Sequence, residues 1–174
     1  MTMPIARPDS SEYASFYAGY VSLVPEGDVL DLLARQIDDT AALIGGLNET
    51  QAGYRYAPGK WSIREIVGHL ADAERVFSYR ALRIGRNDQT PLPSFDENAW
   101  MPYGNFDARP LADLLSELRV VRQSTLALYR SFTAEAVARR GVASQKEISV
   151  RAIIYITAGH ERHHVKVVRE RYLR

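Results

Sequence analysis

The stretch Ser149 to Tyr172 reads SVRAIIYITAGHERHHVKVVRERY and carries three of the chain's four histidines. Its apolar residues recur every three or four positions, which predicts a long helix with one buried face. His160 and His164 are spaced i, i+4 on that face, so their imidazoles point the same way, one helical turn apart. This spacing is typical of two metal ligands on one helix.

Read literally, the segment from His160 to His164 matches H-E-x-x-H, in which the glutamate, here Glu161, is the general base of a zinc peptidase. Such enzymes take a third ligand from downstream, but the ten residues after His164 contain no histidine. Their one carboxylate, Glu170, lies about 240° around the helix from His164. The peptidase interpretation therefore lacks its third ligand. We expect Glu161, about 100° away from His160, to be a residue on the flank of the helix.

Apolar periodicity predicts further long helices earlier in the chain. The first follows Pro25 and ends at Gly45. The second begins at a capping box, in which Ser62 is the N-cap and Glu65 stands three residues later, and it continues to about Ile84.

A third long helix is expected after Asp107 as its N-cap, with Pro110 in its first turn. Residues 131–141 resemble a short helical turn, and no segment has a strong strand signal. Four long helices with apolar faces, together with long crossover connections and short accessory helices, indicate an all-α four-helix bundle. We expect one domain over residues 1–174, with residues 1–11 as a loose N-terminal leader.

The composition of the chain excludes several classes of function. The 22 basic and 21 acidic residues are mixed along the chain and give a net charge of +1, without the basic concentration that nucleic-acid binding needs. The chain has no cysteine, which excludes disulfides and thiolate nucleophiles and fits a reducing cytosol. No stretch approaches the roughly 20 apolar residues of a membrane span. We therefore expect a cytoplasmic protein that binds neither nucleic acid nor membrane.

The fourth histidine, His69, lies within the apolar face of the second helix. A single histidine in such a place is usually a core residue with a hydrogen bond, and this interpretation stays open. Three imidazoles buried without partners would each incur a desolvation cost, whereas convergence of His69, His160 and His164 on one cation removes that cost. Imidazole suits Zn, Ni, Cu or Fe, and we expect Zn or Ni. Three ligands also leave a position open for water or substrate.

Other polar residues have two interpretations each. His163, at the edge of the apolar face, is either a polar flank residue or a donor to a metal ligand. Asp72, one turn after His69, could orient a ligand or hold a water, or it could form a solvent-facing salt bridge.

The connection from Arg86 to Arg109 is long, aromatic and rich in proline, which is typical of segments that cover a site. Four of its side chains are candidates for the wall of a substrate pocket, although Trp100 could equally be simple core cover: Asp96, Glu97, Trp100 and Tyr103. Glu97 and Asp72 are the two candidate catalytic residues.

Two strings carry a family resemblance: GKWSIREIVGHLADAE over residues 59–74 and AGHERHH over residues 158–164. Together they resemble the DinB/YfiT-like family, and the likeness extends over most of the chain. The resemblance implies a metal-binding bundle of up-down-down-up type, commonly a homodimer, with His69, His160 and His164 as the three metal ligands. It also implies an activity, since relatives include metal-dependent hydrolases and transferases that use thiols such as bacillithiol or mycothiol.

The leading hypothesis is a metal-dependent enzyme that acts on a small molecule, as a thiol S-transferase or a hydrolase. The metal would lower the pKa of a thiol or a water. Because the chain has no cysteine, a thiol would have to be a cosubstrate. Arg64 and Arg162 are candidates to bind its carboxylates, although exposed helix arginines are usually only solvated. The alternative is a non-catalytic dimeric bundle that binds a metal or another ligand.

Overall fold

Four long helices form the body of the protein in a computed structural model that describes residues 4–173. They are α2 (Val29–Ile44), α4 (Ile63–Gly85), α6 (Leu111–Arg130) and α8 (Val150–Arg171). The short helices are α1 (Ala18–Ser22), α3 (Glu49–Ala52), α5 (Glu97–Trp100) and α7 (Ala134–Ala138). Helix α4 packs against both α6 and α8, and α2 also contacts these two helices. The predicted all-α four-helix bundle is confirmed. No helix within the described residues combines the length and the apolar character that crossing a membrane requires.

Local signals explain where the long helices begin. The Ser62 hydroxyl accepts a hydrogen bond from Glu65 N at 3.1 Å, and Ser62 N donates to the Glu65 carboxylate at 2.7 Å, which completes the predicted capping box at the start of α4. Helix α8 is buried over most of its first half, where Ile153, Ile154 and Ile156 are 1% exposed or less. Each such side chain contributes roughly 1.5–3 kcal/mol when it leaves water.

The core consists of two apolar clusters with a polar layer between them. One cluster includes Leu33, Phe77, Leu126 and Ile153, and the other includes Ile37, Leu70, Leu118 and Val168. On each long helix, buried polar residues lie close to the point where one cluster gives way to the other. We call these residues the central polar layer: Gln36, Thr40, His69, Glu74, Arg122, His160 and Glu161.

The N-terminal segment packs against the bundle. The Arg7 guanidinium donates to the carbonyl oxygens of Val21 at 2.8 Å and Val24 at 2.6 Å, and the Tyr155 hydroxyl donates to Ile5 O at 3.0 Å. The expected loose leader over residues 1–11 therefore does not describe residues 4–11, because these contacts hold the segment in place. Residues 1–3 lie outside the described part of the chain.

The third long helix begins later than predicted. Its N-cap is Pro110 instead of Asp107, whose carboxylate accepts hydrogen bonds from Ser62 Oγ at 2.6 Å and from Arg55 at 2.5 Å. Asp107 thus ties the loop before α6 to the start of α4.

A short β-hairpin precedes α8, although no segment of the sequence has a strong strand signal. Strands β1 (Arg140–Ala143) and β2 (Lys146–Ser149) pair antiparallel, so Gly141, at the end of the helical turn predicted over residues 131–141, lies in a strand. The turn residues Ser144 and Gln145 both have positive φ, 52° and 64°. This is the conformation of a two-residue hairpin turn, but the pair lacks the Asn-Gly or Asp-Gly signature that sequence reading relies on.

Candidate metal centre

Three histidines from two helices converge at the edge of the central polar layer, to which His69 and His160 belong. His69 comes from α4, and His160 and His164 come from successive turns of α8. The Nε2 atom of His160 lies 3.0 Å from Nε2 of His69 and 3.2 Å from Nε2 of His164. One ring nitrogen from each residue lies within 4.8 Å of the other two. The sequence pattern had brought the same three residues together.

These distances fit a shared metal ion better than hydrogen bonds alone. A neutral imidazole Nε2 carries either one proton or one lone pair, so His160 Nε2 can satisfy only one of its two nitrogen neighbours. Two nitrogens that bind one Zn²⁺ at 2.0–2.1 Å with angles between 90° and 110° lie about 2.8–3.4 Å apart. Both measured separations fall in this range. The donor set therefore fits a divalent transition metal.

The local environment keeps the three imidazoles uncharged. Burial lowers the pKa of His69 to about 4. Burial also lowers the pKa of His160 and that of His164 well below the usual range, and the neighbouring imidazoles lower both further. At neutral pH the rings are therefore uncharged, which is the form whose free ring nitrogen binds a metal.

Aromatic side chains and one glycine hold the histidine rings in place. The Trp61 ring lies 4.8 Å from His69, and the rings of Tyr20 and Phe77 lie 5.4 Å and 5.5 Å from His160. Gly159 lets α1 approach α8 closely, because a Cβ there would come within 2.0 Å of Tyr20 O. The lack of a side chain at Gly159 thus places Tyr20 over His160.

Two pockets reach the cluster and share Trp61 and His164 as lining residues. The aromatic pocket, of about 390 Å³, is lined by all three histidines, by Glu97 and by aromatic rings that include Tyr20, Trp61 and Phe95. The rear pocket, of about 260 Å³, is lined by Lys60, Asn98, His163 and tyrosines. The site can therefore be approached from two sides.

The two carboxylates predicted as catalytic have different surroundings. Glu97, at the start of α5, lines the aromatic pocket. Asp72 lines a narrow void beside His69 and Glu97, and Arg75 donates to its carboxylate at 3.3 Å. Burial raises the pKa of Asp72, and Arg75 opposes this shift.

The other loop candidates lie outside the aromatic pocket. Asp96 is the N-cap of α5 and accepts hydrogen bonds from the backbone of Asn98 at 3.0 Å and Ala99 at 3.1 Å. Trp100 is 45% exposed, packs on Phe95 at 5.1 Å and lines only the narrow void. Tyr103 is 89% exposed and lines none of these spaces.

His163 and the two candidate arginines are engaged elsewhere. His163 lies outside the ligand cluster, although its ring is 5.2 Å from that of His164. Arg64 is buried and pairs with Glu49, and Arg162 Nε donates to Leu23 O at 2.6 Å. Neither guanidinium lines the aromatic or the rear pocket, so the expectation that they bind a cosubstrate there is not supported.

The expectation of Glu161 as a flank residue is wrong, because α2 and α6 cover that side of α8. Glu161 is 2% exposed and accepts hydrogen bonds from Thr40 at 2.6 Å, from Gln36 and from Arg122 at 2.8 Å. Arg122 also forms a two-pronged pair with Glu74 at 2.8 Å and 2.7 Å. Burial alone would lower the pKa of Arg122, but Glu161 and Glu74 outweigh it and raise the pKa.

Sequence analysis missed this ion-pair cluster of Arg122, Glu74 and Glu161. A signal was present, since Arg122 follows Leu118 by four residues on the apolar face of α6, and Glu74 follows Leu70 in the same way on α4. Opposite charges on the buried faces of two helices indicate a buried pair, since either charge alone would be costly to bury.

Comparison with known proteins identifies relatives. The family model of the DinB superfamily matches residues 32–168. Proteins named "Putative metal-dependent hydrolase" from Oceanobacillus iheyensis and Bacillus licheniformis are 29% and 32% identical to this chain, each over 126 residues. The first alignment covers 70% of this chain and 70% of the relative. The second covers 68% of this chain and 69% of the relative.

A solved structure has the same fold. It is YfiT from Bacillus subtilis, described as a probable metal-dependent hydrolase with an unusual four-helix bundle topology. The match has a TM-score of 0.74 at 19% identity and covers 95% of this chain and 90% of the other.

Proposed function

This chain belongs to the DinB superfamily, and we propose that it is a metal-dependent hydrolase of a small molecule, with His69, His160 and His164 as the metal ligands. The observation that carries the proposal is the convergence of three uncharged imidazoles at the wall of the aromatic pocket, where His160 Nε2 lies 3.0 Å from His69 Nε2 and 3.2 Å from His164 Nε2. The names of the relatives support the same class of activity.

We propose Zn or Ni as the metal, because imidazole nitrogens suit both ions. Three protein ligands, instead of four, are typical of catalytic zinc sites. A metal in this position supplies Lewis-acid chemistry, since it acidifies a water or a thiol so that a nucleophile forms near neutral pH.

The chain's own residues would orient the ligands and handle a proton. Trp61, Tyr20 and Phe77 pack on the ligand rings and exclude water from their backs. Asp72 is the better candidate to accept the proton that the nucleophile loses, because it shares the narrow void with His69 and its pKa is raised. Glu97 instead lies on the wall of the aromatic pocket, where it faces the space for the substrate.

A second candidate function is thiol S-transfer, and the two pockets favour it. A transferase binds two substrates at once, and both the aromatic pocket and the rear pocket reach His164. The chain has no cysteine, so the thiol would have to be a cosubstrate. Hydrolysis needs only one of these pockets for an organic substrate.

Turnover assays distinguish these functions. The protein, loaded with Zn or with Ni, is incubated with ester and amide substrates, and separately with electrophiles and low-molecular-weight thiols. Hydrolysis without added thiol supports the hydrolase, and turnover that needs a thiol supports the transferase. Silence in both panels, with metal still bound, supports the alternative of a non-catalytic binding bundle.

Matched variants connect turnover to the cluster. His164→Ala removes a proposed ligand, and His163→Ala removes the neighbouring imidazole outside the cluster. We expect activity to be lost in His164→Ala and retained in His163→Ala. Equal loss in both variants would contradict the ligand assignment.

We also propose a homodimer as the working form, on the basis of the family resemblance. Light scattering coupled to gel filtration tests this directly, since a mass of one chain, 19.6 kDa, at micromolar concentration would contradict it.

A further inference from the structure

Glu97 is a carboxylate without a partner among the described residues, in a pocket wall that consists mainly of aromatic rings. It is half-buried at the start of α5 and lines both the aromatic pocket and the void beside His69. Within residues 4–173, its carboxylate forms neither an ion pair nor a hydrogen bond, unlike Asp96 next to it, which caps α5. A carboxylate held in this way remains available to a ligand.

The rest of the pocket wall offers π faces and no fixed positive side chain. Six aromatic rings line it: Phe16, Tyr17, Tyr20, Trp61, Phe77 and Phe95. Neither lysine nor arginine is among the described lining residues. The nearby Arg80 is buried, its guanidinium lies 5.5 Å from the centre of the Phe95 ring, and it donates to Pro93 O at 2.7 Å and Ser144 Oγ at 3.0 Å. Two protein oxygens therefore accept hydrogen bonds from this guanidinium.

A carboxylate among aromatic rings is the chemistry that recognises alkylated ammonium ions. Ring faces attract a cation through their quadrupole, and they do not require the N–H donors that a quaternary ammonium lacks. The carboxylate adds a full negative charge. A volume of about 390 Å³ accommodates a trimethylammonium group with a short attached chain.

We propose that the substrate carries an alkylated, positively charged nitrogen, bound by Glu97 and the aromatic rings of this pocket. The inference rests on the proposed function in one respect, namely that the aromatic pocket is the substrate site. A metal at the histidines is itself positive, so the cationic group belongs at Glu97 and the scissile bond belongs at the histidines.

The first test measures binding alone, with choline and its uncharged isostere 3,3-dimethyl-1-butanol. The two probes have nearly the same shape and differ in the charge at one atom. Calorimetric titration of both the metal-loaded and the metal-free protein should give choline about a tenfold higher affinity. Equal affinities of the two probes would overturn the proposal.

Two carboxylate variants assign the preference to Glu97. Glu97→Gln keeps the size and removes the charge, and it should reduce the preference for choline to about twofold or less. Glu135→Gln is the matched control, because it removes the same charge from α7, where Glu135 is exposed and pairs with Arg139. An unchanged preference in Glu97→Gln, or equal losses in both variants, would overturn the proposal.

Salt dependence gives a readout that needs no variant. Choline binding to the wild-type protein should weaken as NaCl rises from 0.05 M to 0.5 M, because salt screens the attraction of Glu97, whereas binding of the neutral isostere should not weaken. Parallel behaviour of the two probes would count against an ionic contact.

Turnover of the matched esters, acetylcholine and 3,3-dimethylbutyl acetate, separates this inference from the proposed function. A choline preference that depends on Glu97, without hydrolysis of either ester, would count against ester hydrolysis and keep the cation site. If Glu97→Gln instead lowers kcat equally for both esters and leaves the binding preference intact, Glu97 is a proton acceptor, and the cation site is overturned.

Discussion

Adjacent residues in the middle of α8 face two buried polar sites of opposite character. His160 faces His69 and His164, and the Nε2 atoms of both lie within 3.2 Å of its own Nε2. Burial lowers the pKa of each of the three rings. Glu161 faces Arg122, Thr40 and Gln36, where donors meet acceptors. His160 and Glu161 both belong to the central polar layer, and each is buried.

The difference lies in whether each site is complete without a ligand. In the ion-pair cluster, Arg122 binds both carboxylates and Leu33 O, so its charged groups are paired within the protein, although the neighbouring Gln36 Oε1 has no partner among the described residues. In the histidine cluster, the third nitrogen finds no proton to accept. Buried polar groups that form hydrogen bonds with each other are typical of a structural network. Buried polar groups that converge without enough hydrogen-bond partners indicate the position of a ligand. One site therefore reads as structural and the other as functional.

Removing Arg122 should have the largest effect on stability. Arg122→Met leaves the carboxylates of Glu74 and Glu161 buried without a counter-charge, and breaking a buried ion pair in this way costs about 3–5 kcal/mol. Urea denaturation measures the free energy of unfolding. The matched control is Arg119→Met on the same helix, whose partially exposed pair with Asp38 should contribute less than ~1 kcal/mol. Similar losses in the two variants would mean that the cluster is not structural.

Adding metal should have the next largest effect, and only through the histidine cluster. A ligand that binds only the folded state at 100 times its Kd raises the free energy of unfolding by about 2.7 kcal/mol. We expect this gain with Zn or Ni in the wild-type protein and in His163→Ala. The double variant His69→Ala, His160→Ala should show no gain in the free energy of unfolding when the metal is added.

Elemental analysis checks the same point independently. About one first-row metal per chain is expected in the wild-type protein, because three ligands surround one position. If the metal content is unchanged in the double variant, the histidine cluster is not the metal site.

Sequence reasoning found the histidine cluster and missed the ion-pair cluster for a physical reason. The i, i+4 spacing of His160 and His164 depends only on helix geometry, so it can be read locally. The role of Glu161 depends on which helices cover the far side of α8. Which helices lie there is a property of the bundle packing. A residue about 100° around the helix from His160 could equally face solvent.

The same distinction separates the correct and incorrect helix boundaries. The capping box of Ser62 and Glu65 is a local motif, and α4 begins where it predicts. Asp107 has the residue type of an N-cap, but its carboxylate binds Ser62 and Arg55, which lie 45 and 52 residues away in the sequence. A tertiary contact therefore overrode a local preference, and Pro110 became the N-cap of α6.

Gly159 tests how closely the histidine cluster depends on its packing. Gly159→Ala would place a Cβ against Tyr20 O, at 2.0 Å, and the displaced α1 should cost about 1–3 kcal/mol. Gly19→Ala is the control, because Gly19 lies in α1 itself and has nothing within 4 Å of the added Cβ. It should be neutral or stabilise by up to ~1 kcal/mol. The unfolding temperature and the metal affinity should both fall in Gly159→Ala. If neither falls, the role assigned to Tyr20 is wrong.

The ion pair of Glu12 and Arg151, outside the central polar layer, should make the smallest contribution to the free energy of unfolding, and this contribution should depend on pH. Burial alone would raise the pKa of Glu12, but hydrogen bonds from Arg151, Ser149 and Asp9 N outweigh it and lower the pKa to about 2. A carboxylate with a depressed pKa stabilises the fold above its ordinary value, 4.5, and this stability is lost as pH falls from 4.5 towards 2. Because the Arg151 side chain is 32% exposed, we expect ~1–2 kcal/mol, less than for Arg122.

Urea denaturation between pH 6 and pH 2 measures this loss in the wild-type protein and in Glu12→Gln. The variant should be less stable at pH 6, and the two curves should converge towards pH 2, because the neutral amide cannot lose a charge. Glu26→Gln is the control, since the Glu26 side chain is 94% exposed and its pair with Arg7 should contribute little. Parallel curves for the wild type and Glu12→Gln would show that an ion pair with a partly exposed arginine adds no charge-dependent stability. The contrast between paired and unpaired polar sites would then hold only within the central polar layer.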